Sequence, residues 1–407
     1  MSRSSVPGAV LYEREASWAE ADGTWASRLA VISKIDVSGL TQNMIERSVF
    51  GDRKQHGTTK VPGIFGGEFK VSMHLTGHGS TTAGATTASE LATLLGDVIG
   101  ASALSASSGT TLTGGTENAP TTTASNTFAD GALCRIGALG DGDGNGQAYA
   151  IATHVTTTLT LLNNLAGAPV NGAVLYSGEM VHSEEDPTSN AIYSYRFLLM
   201  TANKQYGCRG CWPKAISFTG LNAGEIPTVE ITYGVTYWAE KNETFPTAVA
   251  LPTEVPAPNS AGSLFFNTKG TATYATKTPR NLQIDYTLGI KEVMSINAST
   301  SNTTVVGAVR TPDAIKFTMT VDAEDASTSP TESVAWAANS EKHALLTLNS
   351  ADGKAVAFYF PRLCYSGNRP TQADSDGLNR QTLEFTAYEA GSGSTDLERS
   401  AFRMLLA

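Results

Sequence analysis

Phe69-Lys70-Val71-Ser72-Met73-His74-Leu75 places an apolar side chain at every second position with a polar residue between, the period of a strand that buries one face and wets the other. The pattern returns without gaps in Ile315-Lys316-Phe317-Thr318-Met319-Thr320-Val321, which keeps the apolar face, the Lys and the Met. Two further matches follow in the same order. Trp212-Pro213-Lys214 pairs with Phe360-Pro361-Arg362, and Thr228-Val229-Glu230-Ile231-Thr232 with Thr382-Leu383-Glu384-Phe385-Thr386. Any one alternating strand resembles another, but ordered matches are harder to obtain by chance, and the chain reads as a duplicated β unit.

The two copies differ in length. Met73 lies 140 residues before Pro213, whereas Met319 lies 42 before Pro361, so the first copy is longer by 98 residues (140 less 42). After the first alternating strand, Thr87 and Glu90 form a capping box ahead of Leu91, Leu94, Leu95, Val98 and Ile99, which predicts a helix over roughly 88–100. Residues 101–127 are dominated by Ala, Ser, Thr and Gly, a composition that reads as a connector. Short strand-like runs follow to about residue 182, among them Ala148-Tyr149-Ala150-Ile151-Ala152 and Leu159-Thr160-Leu161-Leu162, separated by turn residues. Pro246, Pro252, Pro256 and Pro258 then punctuate a stretch without periodicity, the mark of an interdomain linker.

The expected fold is therefore mainly β: two sandwich- or barrel-like modules, each with a short flanking helix, and a small all-β insertion in the first. Residues 1–104 and 189–240 make the first module, 105–188 the connector and insertion, 241–260 the Pro-rich linker and 261–407 the second module. Insertions of this kind sit where the backbone is exposed, so the inserted unit is expected to be peripheral and replaceable by a short linker.

Composition limits the function. The 407 residues carry 28 Lys and Arg against 38 Asp and Glu, a formal net charge of −10, with 41% hydrophobic and 16% charged residues. No run of five Lys or Arg occurs, which leaves no footprint for gripping nucleic acid or anionic lipid. The first residues, Met1-Ser2-Arg3-Ser4-Ser5-Val6-Pro7, contain no apolar leader, and no stretch of 18 apolar residues follows, so neither export nor a membrane anchor is expected. Cys134, Cys208, Cys211 and Cys364 are too scattered for a disulfide framework and suit a reducing compartment.

No constellation carries catalysis. Asp141-Gly142-Asp143-Gly144-Asn145-Gly146 matches the first half of a calcium loop, but its twelfth position is Ala152. Without the bidentate carboxylate a Gly-rich turn is the better reading, and Asp141, Asp143 and Asn145 remain only a weak divalent-ion candidate. Cys208-Arg209-Gly210-Cys211 has the spacing of half a zinc ribbon, yet no second pair completes it, so buried thiols are expected. His74 and His78 lie on a strand ending in glycines rather than on one helical face. His56, His154, His182 and His343 have no Ser or Cys nucleophile pattern near them. Gly63 to Gly67 precede a strand, not a helix, so no phosphate cradle forms. Glu184-Glu185-Asp186 reads as a solvated loop. A polysaccharide hydrolase would need two placed carboxylates, and nothing selects a pair. No enzyme activity and no cofactor are expected.

Several segments taken together resemble a known family. Gly57 to Gly100, with Val61-Pro62-Gly63 before the strand and Glu90-Leu91-Ala92-Thr93-Leu94-Leu95 after it, resembles the opening of the tail tube (major tail) proteins of long-tailed bacteriophages. Tyr206-Gly207-Cys208-Arg209-Gly210 leading into Trp212 to Tyr233, and Phe360-Pro361-Arg362 to Tyr388, are similar to later parts of the same proteins. The resemblance implies β modules with a flanking helix whose sheets join across subunits to line a tube. It also implies sixfold rings stacked along the tail, through whose lumen genome DNA passes during ejection without specific binding. The implied partners are further copies of the chain and the tape measure, tail terminator and distal tail proteins. The implied location is the virion, after synthesis in the bacterial host cytoplasm. This chain departs from single-module members by its duplication and insertion, so three chains are expected to complete a ring of six modules with pseudo-sixfold symmetry. The alternative is a non-enzymatic β-rich phage surface protein, either a capsid decoration or a host-binding module.

Overall fold

A computed structural model describes residues 9–16, 18, 27–28, 32–47, 59–77, 90–104, 110–123, 128–137, 147–176, 178–183, 192–201, 204–242, 258–259, 262–273, 275–294, 305–322, 331–349, 354–367, 372–375, 378–391, 393 and 395–407. Among these residues the fold is mainly β. The chain opens with β1 (Ala9–Arg14), β2 (Ser27–Arg28), β3 (Ile32–Asp36), β4 (Leu40–Arg47) and the long β5 (Thr59–His74). Helix α1 (Glu90–Ile99) buries Leu91, Leu94, Leu95, Val98 and Ile99, the stripe that the 3.6-residue period requires.

Next come β6 (Gly100–Leu104), β7 (Thr110–Gly115), β8 (Pro120–Thr122), β9 (Leu133–Ile136), β10 (Ala148–Val155), β11 (Thr158–Leu161), β12 (Val174–Tyr176) and β13 (Glu179–Ser183). The first half ends with β14 (Tyr195–Met200), β15 (Gln205–Thr219) and β16 (Thr228–Lys241). The second half holds β17 (Ser263–Thr268), β18 (Thr276–Lys277), β19 (Pro279–Thr287), β20 (Ile290–Met294), β21 (Val305–Arg310) and β22 (Ala314–Asp322). Helix α2 (Thr331–Ala337) leads to β23 (Lys342–Leu348), β24 (Val356–Tyr365), β25 (Gln372–Ser375) and β26 (Leu378–Ala387). The short α3 (Asp396–Arg399) and β27 (Arg403–Leu406) come last.

The stretch expected to be a connector is partly strand. β7, β8 and all but the first residue of β6 fall inside 101–127, and β7 to β12 close into a small barrel. The composition misled because Thr is polar yet β-branched and fits a pleated ladder well. Thr111 pairs with Thr123 and Thr113 with Thr121 through their hydroxyls, at 3.2 and 3.1 Å, while Leu112 alone points into the barrel core from β7. β13 belongs to the main sheet, between β6 and β27.

Eight antiparallel strands run unbroken through the main sheet in the order β3, β5, β16, β15, β19, β22, β26, β24. The two alternating stretches hold matching places in it. Thr228, Val229 and Ile231 face His74, Met73 and Val71, and Thr382, Leu383 and Phe385 face Thr320, Met319 and Phe317. On the other side Asp36 faces Lys70 as Asp285 faces Lys316. Likewise β1 lies between β2 and β14, and β17 between β18 and β23. The aromatic-Pro-basic match does not keep its place. Phe360 faces Ala344 across one bulge, whereas Cys208, not Trp212, faces Phe197 across the other, because bulges let one strand slip against its partner.

Each half also sends out a ribbon, β4 with the first part of β5 and β20 with β21. A glycine marks each exit, since a Cβ on Gly39 would meet the Glu68 carbonyl oxygen at 2.7 Å and one on Gly289 the Thr311 carbonyl oxygen at 2.1 Å.

One apolar core runs through both halves. Phe402 ties them together, packing on Phe218 from β15, Tyr286 from β19 and Phe358 from β24. β27 fills the gap between β13 and β24. The small barrel does not stand apart from the second half. Its core continues into Phe265, Leu345, Ala357, Tyr359 and Leu405, so the inserted unit covers a buried apolar surface of β17, β23, β24 and β27.

Candidate functional site

The joint between the two halves of the main sheet is a strand pair, and its geometry is simple. Ala215, Ile216, Ser217 and Phe218 of β15 face Thr287, Tyr286, Asp285 and Ile284 of β19. Ile216, Phe218, Ile284 and Tyr286 enter the core, with 0–1% of their surface exposed, while Ser217 and Asp285 share the opposite face. There the Ser217 hydroxyl donates to Asp285 Oδ1 at 2.7 Å, and Gln283 Nε2 donates to Oδ2 at 2.7 Å. The ladder is extended by Leu288 N donating to the Lys214 carbonyl at 3.0 Å.

Among the described residues the two ends of the sheet have no such partner strand. Among the described residues β3 pairs with β5 alone, and beyond Leu363 the only strand beside β24 is β26. Ser366 N still donates to the Glu384 carbonyl at 3.0 Å, which puts Ser366 opposite Glu384 as Ser217 is opposite Glu230. The outer side of β24 carries one side-chain bond, from Trp336 Nε1 of α2 to the Gly367 carbonyl at 3.3 Å, but no described strand, and a strand paired on one side only templates a further strand.

The wet face of the sheet is lined by Ser and Thr with charges of both signs. Lys70 donates to Glu230 at 2.9 Å, Ser72 reaches the same carboxylate at 3.2 Å, and Lys214 lies 3.6 Å from Glu68. Its bond to Glu230 holds the Lys70 ammonium above its usual range. Asp36 is held below the usual carboxylate range by bonds from Ser38, assisted by Lys34 and Lys70. Exposed pairs of this kind contribute little stability; their effect is to set a carboxylate beside Lys70 and Lys214 on this face.

The residues singled out from sequence fall in different places. Asp141, Asp143, Asn145, His56, His78, Glu184, Glu185, Asp186, Pro246, Pro252 and Pro256 lie outside the described residues. Cys208 and Cys211 are buried free thiols, as is Cys134, while Cys364 is half-buried. Burial raises the Cys211 thiol well above its ordinary value and pushes that of Cys134 up to about 12, so neither is a ready thiolate.

His74 bonds the Thr228 hydroxyl, and His154, His182 and His343 bond the backbone carbonyls of Thr156, Ser183 and Thr271. Among the described residues no group of three or more His, Cys, Asp or Glu could hold a metal ion, and no helix is long and apolar enough to cross a membrane. A cleft lined by Gln147, Asn222, Asn259 and Lys277 is polar but holds no acid–base pair, and its Lys277 is already engaged by Glu332 at 3.2 Å.

Sequence reasoning missed Ser217, Asp285, Asp36 and Ser366. A signal was present in Ile35-Asp36 before Gly39 and Ile284-Asp285 before Gly289, but only the register gives it meaning. Neither the protein-family models nor the curated proteins compared with this chain contain a match to it.

Proposed function

We propose that this chain is a structural subunit of a tube, the tail tube protein of a long-tailed phage, and that its main sheet continues from copy to copy around a lumen through which genome DNA passes. The observation that carries this reading is the open-ended run of eight strands. It consists of two four-strand sets joined edge to edge, and among the described residues no strand pairs with the outer edge at either end. The two ends differ, so association is head-to-tail, and head-to-tail contacts generate rings when the rotation closes.

Three chains would bring twenty-four strands to such a ring. At standard strand spacing and barrel tilt that closes a cylinder roughly 40–50 Å across at the backbone, open enough for a DNA duplex. The face turned away from the core would line it, and its Ser, Thr and paired charges suit a surface that must not retain phosphates. The repeated pairing scheme supports a duplicated module and three chains per ring with pseudo-sixfold symmetry.

Negative-stain images and native mass spectrometry of the purified protein test the reading. Rings or tubes with three chains per ring are expected. A protein that stays monomeric at every concentration would refute the tube, and six chains per ring would refute the trimer.

A further inference from the structure

We infer that the outer edge of β3 on one copy of this chain docks on the outer edge of β24 on the next, in the register that joins β15 to β19 inside one copy, with Ser366 donating to Asp36. The inference rests on the tube reading and specifies the contact that reading leaves open.

The internal joint serves as a template because the two halves match in register. Ser217 stands opposite Glu230, and Ser366 opposite Glu384. Asp285 stands opposite Lys316, and Asp36 opposite Lys70. All four residue types recur at the four matching positions: Ser, Glu, Asp and Lys. Since Ser217 and Asp285 meet across the internal joint at 2.7 Å, Ser366 and Asp36 are the pair that meets when the same joint forms between copies.

Burial points the same way. Ile284, Tyr286 and Ile216 are 0–1% exposed inside the internal joint. Their counterparts at the open ends are Ile35, Val37 and Tyr365, which are only partly buried though they pack against the same core. Docking β3 on β24 would cover them, and the Gly367 carbonyl, which accepts from Trp336 Nε1 at 3.3 Å, would be shared with the incoming strand. One position departs from the template, because Gly367 stands where Phe218 does, so the joint between copies lacks one aromatic side chain. Backbone pairing along four residues, two short polar groups in contact and three half-exposed apolar side chains make an edge suited to another copy of the chain rather than to an anionic polymer.

Paired cysteines test the contact. Directly opposed residues on neighbouring antiparallel strands come within disulfide reach. The variants are made on Cys364→Ser to remove the nearby thiol. Mixing Asp36→Cys with Ser366→Cys chains under oxidation is expected to give a covalent dimer, and the double variant a ladder of covalent oligomers. The control pair Ser217→Cys with Asp285→Cys should close within one chain and leave the mass unchanged. Exchanging the partners, Asp36→Ser with Ser366→Asp, should restore assembly that Asp36→Ser alone weakens by about tenfold or more. Rings seen by microscopy in a sample that gives no crosslink would overturn this joint while leaving the tube intact. Absence of both rings and crosslinks, with the internal control formed, would overturn the joint and the tube together.

Discussion

Replacing residues 106–177 with a short Gly-Ser linker removes β7 to β12 and strips the surface they cover on the second half of the chain. Phe265, Leu345, Tyr359 and Leu405 are each 1–2% exposed and share the barrel's core cluster. Moving one such side chain from full burial to water costs about 1.5–3 kcal/mol, so four cost roughly 6–12 kcal/mol, an upper bound because the bared surface can partly collapse. The guanidinium of Arg403 also loses its bond to the Gly131 carbonyl, at 2.7 Å. Against a typical net stability of about 5–15 kcal/mol, the truncated chain is expected to be insoluble or to melt at least about 10 °C lower, with dye binding to exposed apolar surface. Thermal melts followed by circular dichroism, with a parallel dye titration, measure this. A truncated chain that melts within about 2 °C of the full one and binds no dye would refute the argument and return the insertion to a peripheral role.

Two further outcomes follow from single side chains. Arg403 is buried, and its three nitrogens donate to the Ser400 hydroxyl and the carbonyls of Gly131 and Glu398 at 2.7–2.9 Å, so Arg403→Ala should lower stability by about 3 kcal/mol or more in urea unfolding. A loss under about 1 kcal/mol would mean that water replaces all three donors. Burial holds the His343 imidazole below its usual range, against a smaller upward pull from its bond to Thr271. A depressed imidazole leaves stability intact above the unfolded-state value near 6.5 and loses it as pH falls through the folded value. His343→Gln, which keeps a donor for Thr271, should therefore flatten the loss of stability between pH 7 and pH 5; an unchanged slope would place the loss elsewhere.

Much of the fold was legible where apolar spacing was strict. Phe69 to Leu75 and Ile315 to Val321 alternate cleanly and form central strands, and the Leu91 to Ile99 stripe forms α1. Legibility failed where residue type disguised position. β13 carries Glu179 and His182, and β27 carries Arg403, yet every residue of both strands is buried, so polar letters hid two interior strands. The Thr-rich run from 110 to 123 looked like linker because its hydroxyls satisfy one another across a ladder. That Phe265 and Leu345 face an inserted barrel is a tertiary fact with no local trace. The candidate contact was the least legible part: Asp36 and Ser366 are ordinary surface letters until the positions opposite Lys70 and Glu384 are known.

The position of β27 also bears on how the chain reaches its native state. His182 of β13 pairs with Arg403, and Tyr359 of β24 pairs with the same residue, so the sheet closes only across a very long stretch of sequence. Contacts of such high sequence separation are slow to form because loop closure must precede any gain. Until 403–406 arrive, both β13 and β24 present bare edges beside Phe218 and Phe358, a surface on which a nascent chain can pair wrongly with its neighbours. Late insertion of β27 is therefore the step expected to limit folding yield, and refolding yield is expected to rise when a chaperone shields those edges.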